Sequence, residues 1–70
     1  MIVLSDPQRK ALEQIIKIDE FEPGRWFTQM ELYRVTLHTM RALREKGFVI
    51  QKEFPEMELI YYQYTGQEVE

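Results

Sequence analysis

Three cationic residues, Arg41, Arg44 and Lys46, lie within the stretch Thr36–Val49, which reads TLHTMRALREKGFV. Arginine and lysine bind phosphate, and the forked guanidinium of arginine also matches the two acceptors on the edge of guanine. From Arg34 to Lys46 the chain has four cations and one anion, whereas the whole chain has nine Lys and Arg against twelve Asp and Glu. The local excess favours nucleic-acid binding and the acidic total counts against it, so composition leaves the question open.

Length and composition exclude several kinds of site. A chain of 70 residues is expected to form a single domain, residues 1–70, of marginal stability. It has no cysteine and one histidine, His38, so we expect neither a disulfide nor a cysteine or histidine metal centre. For His38 alone, a solvated side chain is favoured over a ligand or a general base. No cofactor and no metal are predicted.

Catalysis and membrane insertion are not expected either. The only serine, Ser5, is explained as a helix cap, and there is no glycine-rich phosphate loop. No segment approaches the roughly 20 apolar residues of a membrane helix, and no basic region precedes the short apolar run at the N-terminus. The sequence predicts a cytoplasmic protein that is not an enzyme.

Two capping signals predict two helix starts. Ser5-Asp6-Pro7-Gln8 combines a cap, a proline in the first turn and a glutamine three residues on, which predicts a first helix from about Asp6 to Ile18. Thr28-Gln29-Met30-Glu31 is a second capping box, and Phe27 and Leu32 occupy the positions of a hydrophobic staple. A short second helix is therefore predicted over 28–34.

A third helix is predicted over 36–46. Thr36 can cap it, and Gly47 after a terminal lysine is a typical helix end. Leu37, Met40 and Leu43 recur every three residues and predict an inward stripe. The solvent face would then present His38, Thr39, Ala42 and Glu45, with Arg41 on the flank.

The remaining segments predict strands. Residues 25–27 are expected to form one short strand, and 48–54 and 58–65 are expected to form a hairpin with its tip near Phe54–Met57. Phe48 and Ile50 are predicted on one face of the hairpin, with Tyr62 and Tyr64 inward and Tyr61 partly exposed. Trp26 and Phe27 are assigned to the core or to the staple, and residues 66–70 are predicted to fray.

The order helix, strand, helix, helix and hairpin resembles an α+β winged helix-turn-helix domain: three helices plus a C-terminal β-hairpin wing. The run Thr39–Val49, TMRALREKGFV, resembles a segment common in bacterial and phage transcription regulators. The opening Leu4–Leu12, LSDPQRKAL, looks like their first helix, and Tyr62–Thr65, YQYT, is similar to the end of their third strand.

The resemblance implies a DNA-binding transcription regulator whose helix 36–46 enters the major groove of double-stranded DNA. Arg41 would contact a guanine, His38 and Thr39 could reach base edges, and other cations would meet phosphate. The protein would act as a homodimer or with a protein partner. For each residue alone, the competing interpretation is a solvated surface side chain. The candidate DNA-binding residues are Thr28, Arg34, Thr36, His38, Thr39, Arg41, Arg44, Lys46 and Lys52.

Two features depart from this resemblance. The predicted wing tip Glu53–Glu58, EFPEME, is acidic and apolar, whereas DNA-binding wings usually offer Arg or Lys. No dimerisation helix is visible. An alternative function follows: a protein-interaction module, an adaptor or inhibitor that binds a protein partner through Phe54, Pro55 and Met57. The competing structural interpretation, in which the tip folds back against Trp26, stays open.

Overall fold

The computed structural model describes residues 3–68 and shows an α+β fold. Two α-helices, α1 (Asp6–Phe21) and α2 (Leu37–Glu45), accompany a three-stranded antiparallel sheet. Its strands are β1 (Trp26–Thr28), β2 (Val49–Phe54) and β3 (Leu59–Tyr64), in the order β1-β3-β2. The helix count therefore differs from the predicted three.

Helix α1 begins as predicted and ends later. The Ser5 backbone N–H donates to Gln8 Oε1 at 3.1 Å, and Gln8 N–H donates to Ser5 Oγ at 3.3 Å, which completes the capping box. The helix continues past Ile18 to Phe21. The Pro23-Gly24 turn stops it there, with the Gly24 N–H held by Asp19 Oδ1 at 3.0 Å.

The predicted second helix over 28–34 is wrong, because only a three-residue 3-10 turn, Gln29–Glu31, forms there. The Thr28 N–H donates to Glu31 Oε2 at 2.8 Å, so the predicted capping box forms. Tyr33 then bonds to a side chain instead of to helix neighbours: the Gln14 amide bonds both its N–H and its C=O, at 2.7 and 2.9 Å. Arg34 then adopts a left-handed backbone with φ 55°, which a helix cannot contain.

Helix α2 is the predicted third helix. Thr36 caps it by accepting the Thr39 N–H at 3.2 Å, and Gly47 follows it with φ 87°. Met40 and Leu43 are fully buried, but the prediction that Leu37 faces inward is wrong, since Leu37 is 57% exposed. Thr39 takes the inward position and is 8% exposed.

Strand register gives the sheet two unlike faces. Phe27 pairs with Tyr62, which pairs with Gln51, and this row lies on the inner face, against the helices. The alternate residues form what we call the outer sheet face, where Ile50 is 47% and Trp26 37% exposed. Phe48, predicted to share the face of Ile50, instead precedes β2 and is fully buried. The outer sheet face consists of Trp26, Thr28, Ile50, Lys52, Phe54, Leu59, Tyr61 and Gln63.

The core lies between the inner sheet face and the two helices. Tyr62 is buried and Tyr64 packs against the core, as predicted. Phe27, which is fully buried, has its ring centroid 6.2 Å from that of Tyr62. The buried apolar residues are Leu4, Ala11, Leu12, Ile15, Phe27, Leu32, Val35, Met40, Leu43, Phe48, Val49 and Tyr62.

The segment after β3 stays in contact with the fold up to Gln67, although fraying was predicted from residue 66. Gln67 Nε2 donates to the Lys46 carbonyl at 2.9 Å, and the Tyr64 hydroxyl donates to the Gln67 carbonyl at 2.8 Å. The last two predicted tail residues, 69 and 70, lie outside the described residues.

Candidate nucleic-acid interface

A groove separates α2 from the hairpin strands on the inner side of the sheet. We call it the α2 groove; its volume is about 230 Å³. Leu37, Arg41 and Arg44 follow one another at i, i+4 and i+7, which places them on one helical face. They form one wall, and β2 and β3 form the other with Gln51, Glu53, Ile60 and Tyr62.

The two arginines of this groove differ in their contacts. Arg44 Nη1 donates to Gln51 Oε1 at 3.1 Å, and Gln51 Nε2 donates in turn to Glu53 Oε1 at 2.8 Å. Arg41 makes no side-chain hydrogen bond within residues 3–68, and both arginines are exposed. The ion pairs of the described chain belong to Arg25, with Glu22 and Glu31, so neither Arg41 nor Arg44 is neutralised by a carboxylate there.

The charged residues of the α2 groove influence the pKa of Tyr62, which also lines it. Burial raises the pKa of the Tyr62 phenol above its ordinary value of 10.0, while Arg44 lowers it and Glu53 raises it. Arg44 and Glu53 line the same groove as this phenol, so both charges act on it. The groove therefore offers two guanidinium groups, one carboxylate and one neutral phenol.

Three predicted residues lie at the start of α2. The Thr36 hydroxyl caps the helix by accepting the Thr39 N–H, and His38 is exposed. The prediction that Thr39 faces solvent is wrong, because its side chain is buried and its Oγ1 lies 3.2 Å from Thr36 Oγ1. Thr39 thus stabilises the helix start and does not reach the surface.

Two further candidates have groups that are already engaged. The backbone N–H of Thr28, a candidate DNA-binding residue, donates to Glu31. The Lys46 ammonium, predicted to meet phosphate, donates to the Val3 carbonyl and to Gln8 Oε1, both at 2.8 Å. The positive charge of Lys46 is therefore held against the start of α1.

The last two predicted cations lie away from the α2 groove. Arg34 is exposed beside α1, with its guanidinium carbon 5.2 Å from the centre of the Tyr33 ring. Lys52 projects from the outer sheet face, with Nζ 5.2 Å from the centre of the Phe54 ring. Of the predicted cations, only Arg41 and Arg44 are brought together.

The outer sheet face has a hollow of its own, of about 260 Å³. Phe54 and Tyr61 meet edge to face in it, with ring centroids 5.3 Å apart. Met57, 54% exposed, reaches this hollow from the hairpin tip, so the tip and Trp26 share one surface. Pro55 lies exposed at the tip, at the start of the 3-10 turn Pro55–Met57. The lining residues of the hollow are Trp26, Lys52, Phe54, Met57 and Tyr61.

Sequence reasoning missed Leu37, Gln51 and Glu53 as groove residues. A signal for Leu37 was present, because the spacing of Leu37, Arg41 and Arg44 matches one helical face as well as the inward stripe does. No sequence signal indicated Gln51 and Glu53, since their position depends on how the hairpin packs beside α2.

The described residues contain no cluster of three or more His, Cys, Asp or Glu side chains that could hold a metal ion. Within 3–68, neither helix is long and apolar enough to cross a membrane. Comparison of the chain with protein-family models, with curated proteins and with solved structures gives no significant match.

Proposed function

We propose that this protein binds double-stranded DNA as a small winged helix-turn-helix transcription regulator, with α2 as the helix that enters the major groove. The observation that carries the proposal is the pair Arg41 and Arg44, exposed on one face of α2 with no carboxylate paired to either in the described chain. The element order supports it, with a single 3-10 turn in place of the second helix.

The two arginines have different roles in this proposal. Arg41 is free to form a two-pronged contact with guanine, because no side chain of the described region holds its guanidinium. Arg44 is oriented by Gln51 and binds phosphate. His38, one turn before Arg41 and exposed, lies near the end of α2 that approaches base edges.

The test is fluorescence anisotropy of a labelled random duplex, titrated with protein at low and at physiological salt. Binding through phosphates weakens with salt, and each lost phosphate contact reduces the log–log salt slope by about 0.9. We expect Arg41→Glu/Arg44→Glu to weaken binding of this random duplex at least about tenfold and to reduce its salt slope, because sequence-independent binding depends on cations near phosphate and both substitutions reverse the charge.

The matched control is Arg9→Glu/Lys17→Glu, which makes the same change of charge on the exposed side of α1. It should retain most of the binding and the salt slope. Equal loss in both double variants would show only a response to net charge and would contradict the role of α2. Absence of binding at low salt would reject the proposal.

A second candidate function is a protein-interaction module, which the hollow of the outer sheet face supports. Exposed Met57 and Trp26 with half-buried Phe54 around one hollow are typical of a protein contact rather than of a DNA contact. Such binding would depend weakly on salt. Met57→Glu would abolish it and leave DNA binding unchanged.

A further inference from the structure

The free edge of β2 is a surface that the proposed function does not use. The order β1-β3-β2 leaves β2 paired on one side only. Exposed edges can pair with another strand, since their N–H and C=O groups still need partners.

The hydrogen-bond pattern tells which residues of β2 point outward. The Thr65 N–H donates to the Phe48 carbonyl at 3.0 Å, and this pair lies one step before Val49↔Tyr64 in the β2–β3 register. In an antiparallel ladder, bonded and non-bonded pairs alternate. The backbone groups of Ile50 and Lys52 therefore face β3, and those of Val49, Gln51 and Glu53 face away.

These outward groups have no partner elsewhere in the described chain. No backbone hydrogen bond joins Val49, Gln51 or Glu53 to a segment outside the sheet within 3–68. An open concavity of about 710 Å³ lies beside this edge, lined by Arg44, Gly47, Val49, Gln51 and Glu53 among others. The edge is accessible to an extended strand.

We infer that this edge binds the same edge of a second copy, which makes an antiparallel β2–β2 homodimer with a continuous six-stranded sheet. The register pairs Gln51 with Gln51 of the second copy. Val49 then opposes Glu53 of the second copy, so outward backbone groups meet outward groups along the whole strand. A two-fold axis perpendicular to the sheet relates the copies.

The side chains favour this partner and this register. On the outer face, Ile50 opposes Lys52 of the second copy, so the lysine stem covers the exposed isoleucine while its ammonium stays in water. On the inner face, Glu53 of one copy comes beside Val49 of the other, where Arg44 lines the same concavity. Opposite charges thus meet across the axis, and two Lys52 side chains never oppose each other.

Sedimentation equilibrium of the purified protein, from micromolar to millimolar concentration and without DNA, tests this dimer. Gln51→Pro removes an N–H that faces away from β3, so the fold is kept and the central pair is lost. We expect the dimer dissociation constant to rise at least about tenfold. Gln51→Ala keeps the N–H and should stay within about threefold of wild type.

A second pair of variants tests the register and does not depend on the fold of the proline variant. Ile50→Lys opposes Lys52 of the second copy and weakens the dimer, whereas Ile50→Glu opposes the same lysine and preserves it. Equal effects of the two substitutions would overturn this register.

Amide hydrogen exchange gives a residue-level readout. Ile50 and Lys52 should be protected at every concentration, while Val49, Gln51 and Glu53 become protected only as the protein concentration rises. A monomer at millimolar concentration would overturn the inference, as would a dimer that Gln51→Pro does not weaken. A wild-type monomer whose edge binds unrelated extended peptides would also overturn it. Because no DNA is present, failure here leaves the proposed function untouched.

Discussion

The inner and outer faces of the sheet carry different chemistry, although the same strands build both. On the inner side, the α2 groove combines Arg41 and Arg44 with polar strand residues. On the outer side, Trp26, Phe54 and Tyr61 surround an open hollow with Lys52 as its cation. Alternation along β2 and β3 separates the two surfaces completely.

This separation explains why the charges counted along the sequence did not predict which cations lie together on one surface. Lys46 and Lys52 were grouped with the arginines, yet one is bound to the start of α1 and the other lies on the opposite face. A side chain substituted on one sheet face therefore does not contact the residues of the other face.

The largest contrast is expected between two neighbours on β1. Phe27→Ala should lower the free energy of unfolding by about 3–5 kcal/mol, because Phe27 is fully buried. Trp26→Ala should cost less than about 2 kcal/mol, since the ring is 37% exposed. Urea unfolding followed by circular dichroism measures both.

If Phe27→Ala leaves too little folded protein to measure, Phe27→Leu serves in its place and should still cost more than Trp26→Leu. Equal losses at the two positions would mean that the outer face supports the fold as much as the core does.

The same contrast shows what the sequence could predict. Local signals were sufficient for Ser5, Thr36 and Gly47, because a cap or a helix end depends on neighbouring residues. The prediction of the second helix was wrong because Gln14, nineteen positions from Tyr33, bonds the N–H and C=O of Tyr33 that a helix would have used. Leu37 was predicted inward and Thr39 outward, and the structure shows the reverse. Met40 and Leu43 are buried with either neighbour, so only packing against the sheet decides which of the two faces inward.

Alkaline pH should lower the free energy of unfolding through two tyrosines on the inner sheet face. Burial raises the pKa of the Tyr62 phenol, and burial together with Asp19 and Glu68 raises that of Tyr64. The folded chain therefore keeps protons that the unfolded chain loses above pH 10.0. The free energy of unfolding should be unaffected by these phenols below that pH and should fall as the pH rises through it.

Urea unfolding between neutral pH and pH 11 measures this fall on the wild type and two variants. Tyr62→Phe and, separately, Tyr64→Phe should each make the fall shallower, because each removes a phenol whose pKa is raised in the folded chain. A fall of the same steepness in Tyr62→Phe would show that this phenol does not contribute.

The smallest effect is expected on the outer side. Lys52→Met keeps the length of the side chain and removes the charge near the Phe54 ring. An exposed contact of this kind contributes about 0.5–1 kcal/mol at most, so the stability should change by less than about 1 kcal/mol. A larger loss by urea unfolding would mean that the outer face depends on its cation.

Lys46 joins the two ends of the described chain. Its ammonium binds the Val3 carbonyl and its own carbonyl accepts Gln67 Nε2, so the first and last described segments meet at one residue. The end of α2 therefore holds the segment before α1 through a side chain and the segment after β3 through its backbone. A substitution that shortens the side chain of Lys46 releases only the first of these segments, because the carbonyl that Gln67 binds is present in every residue.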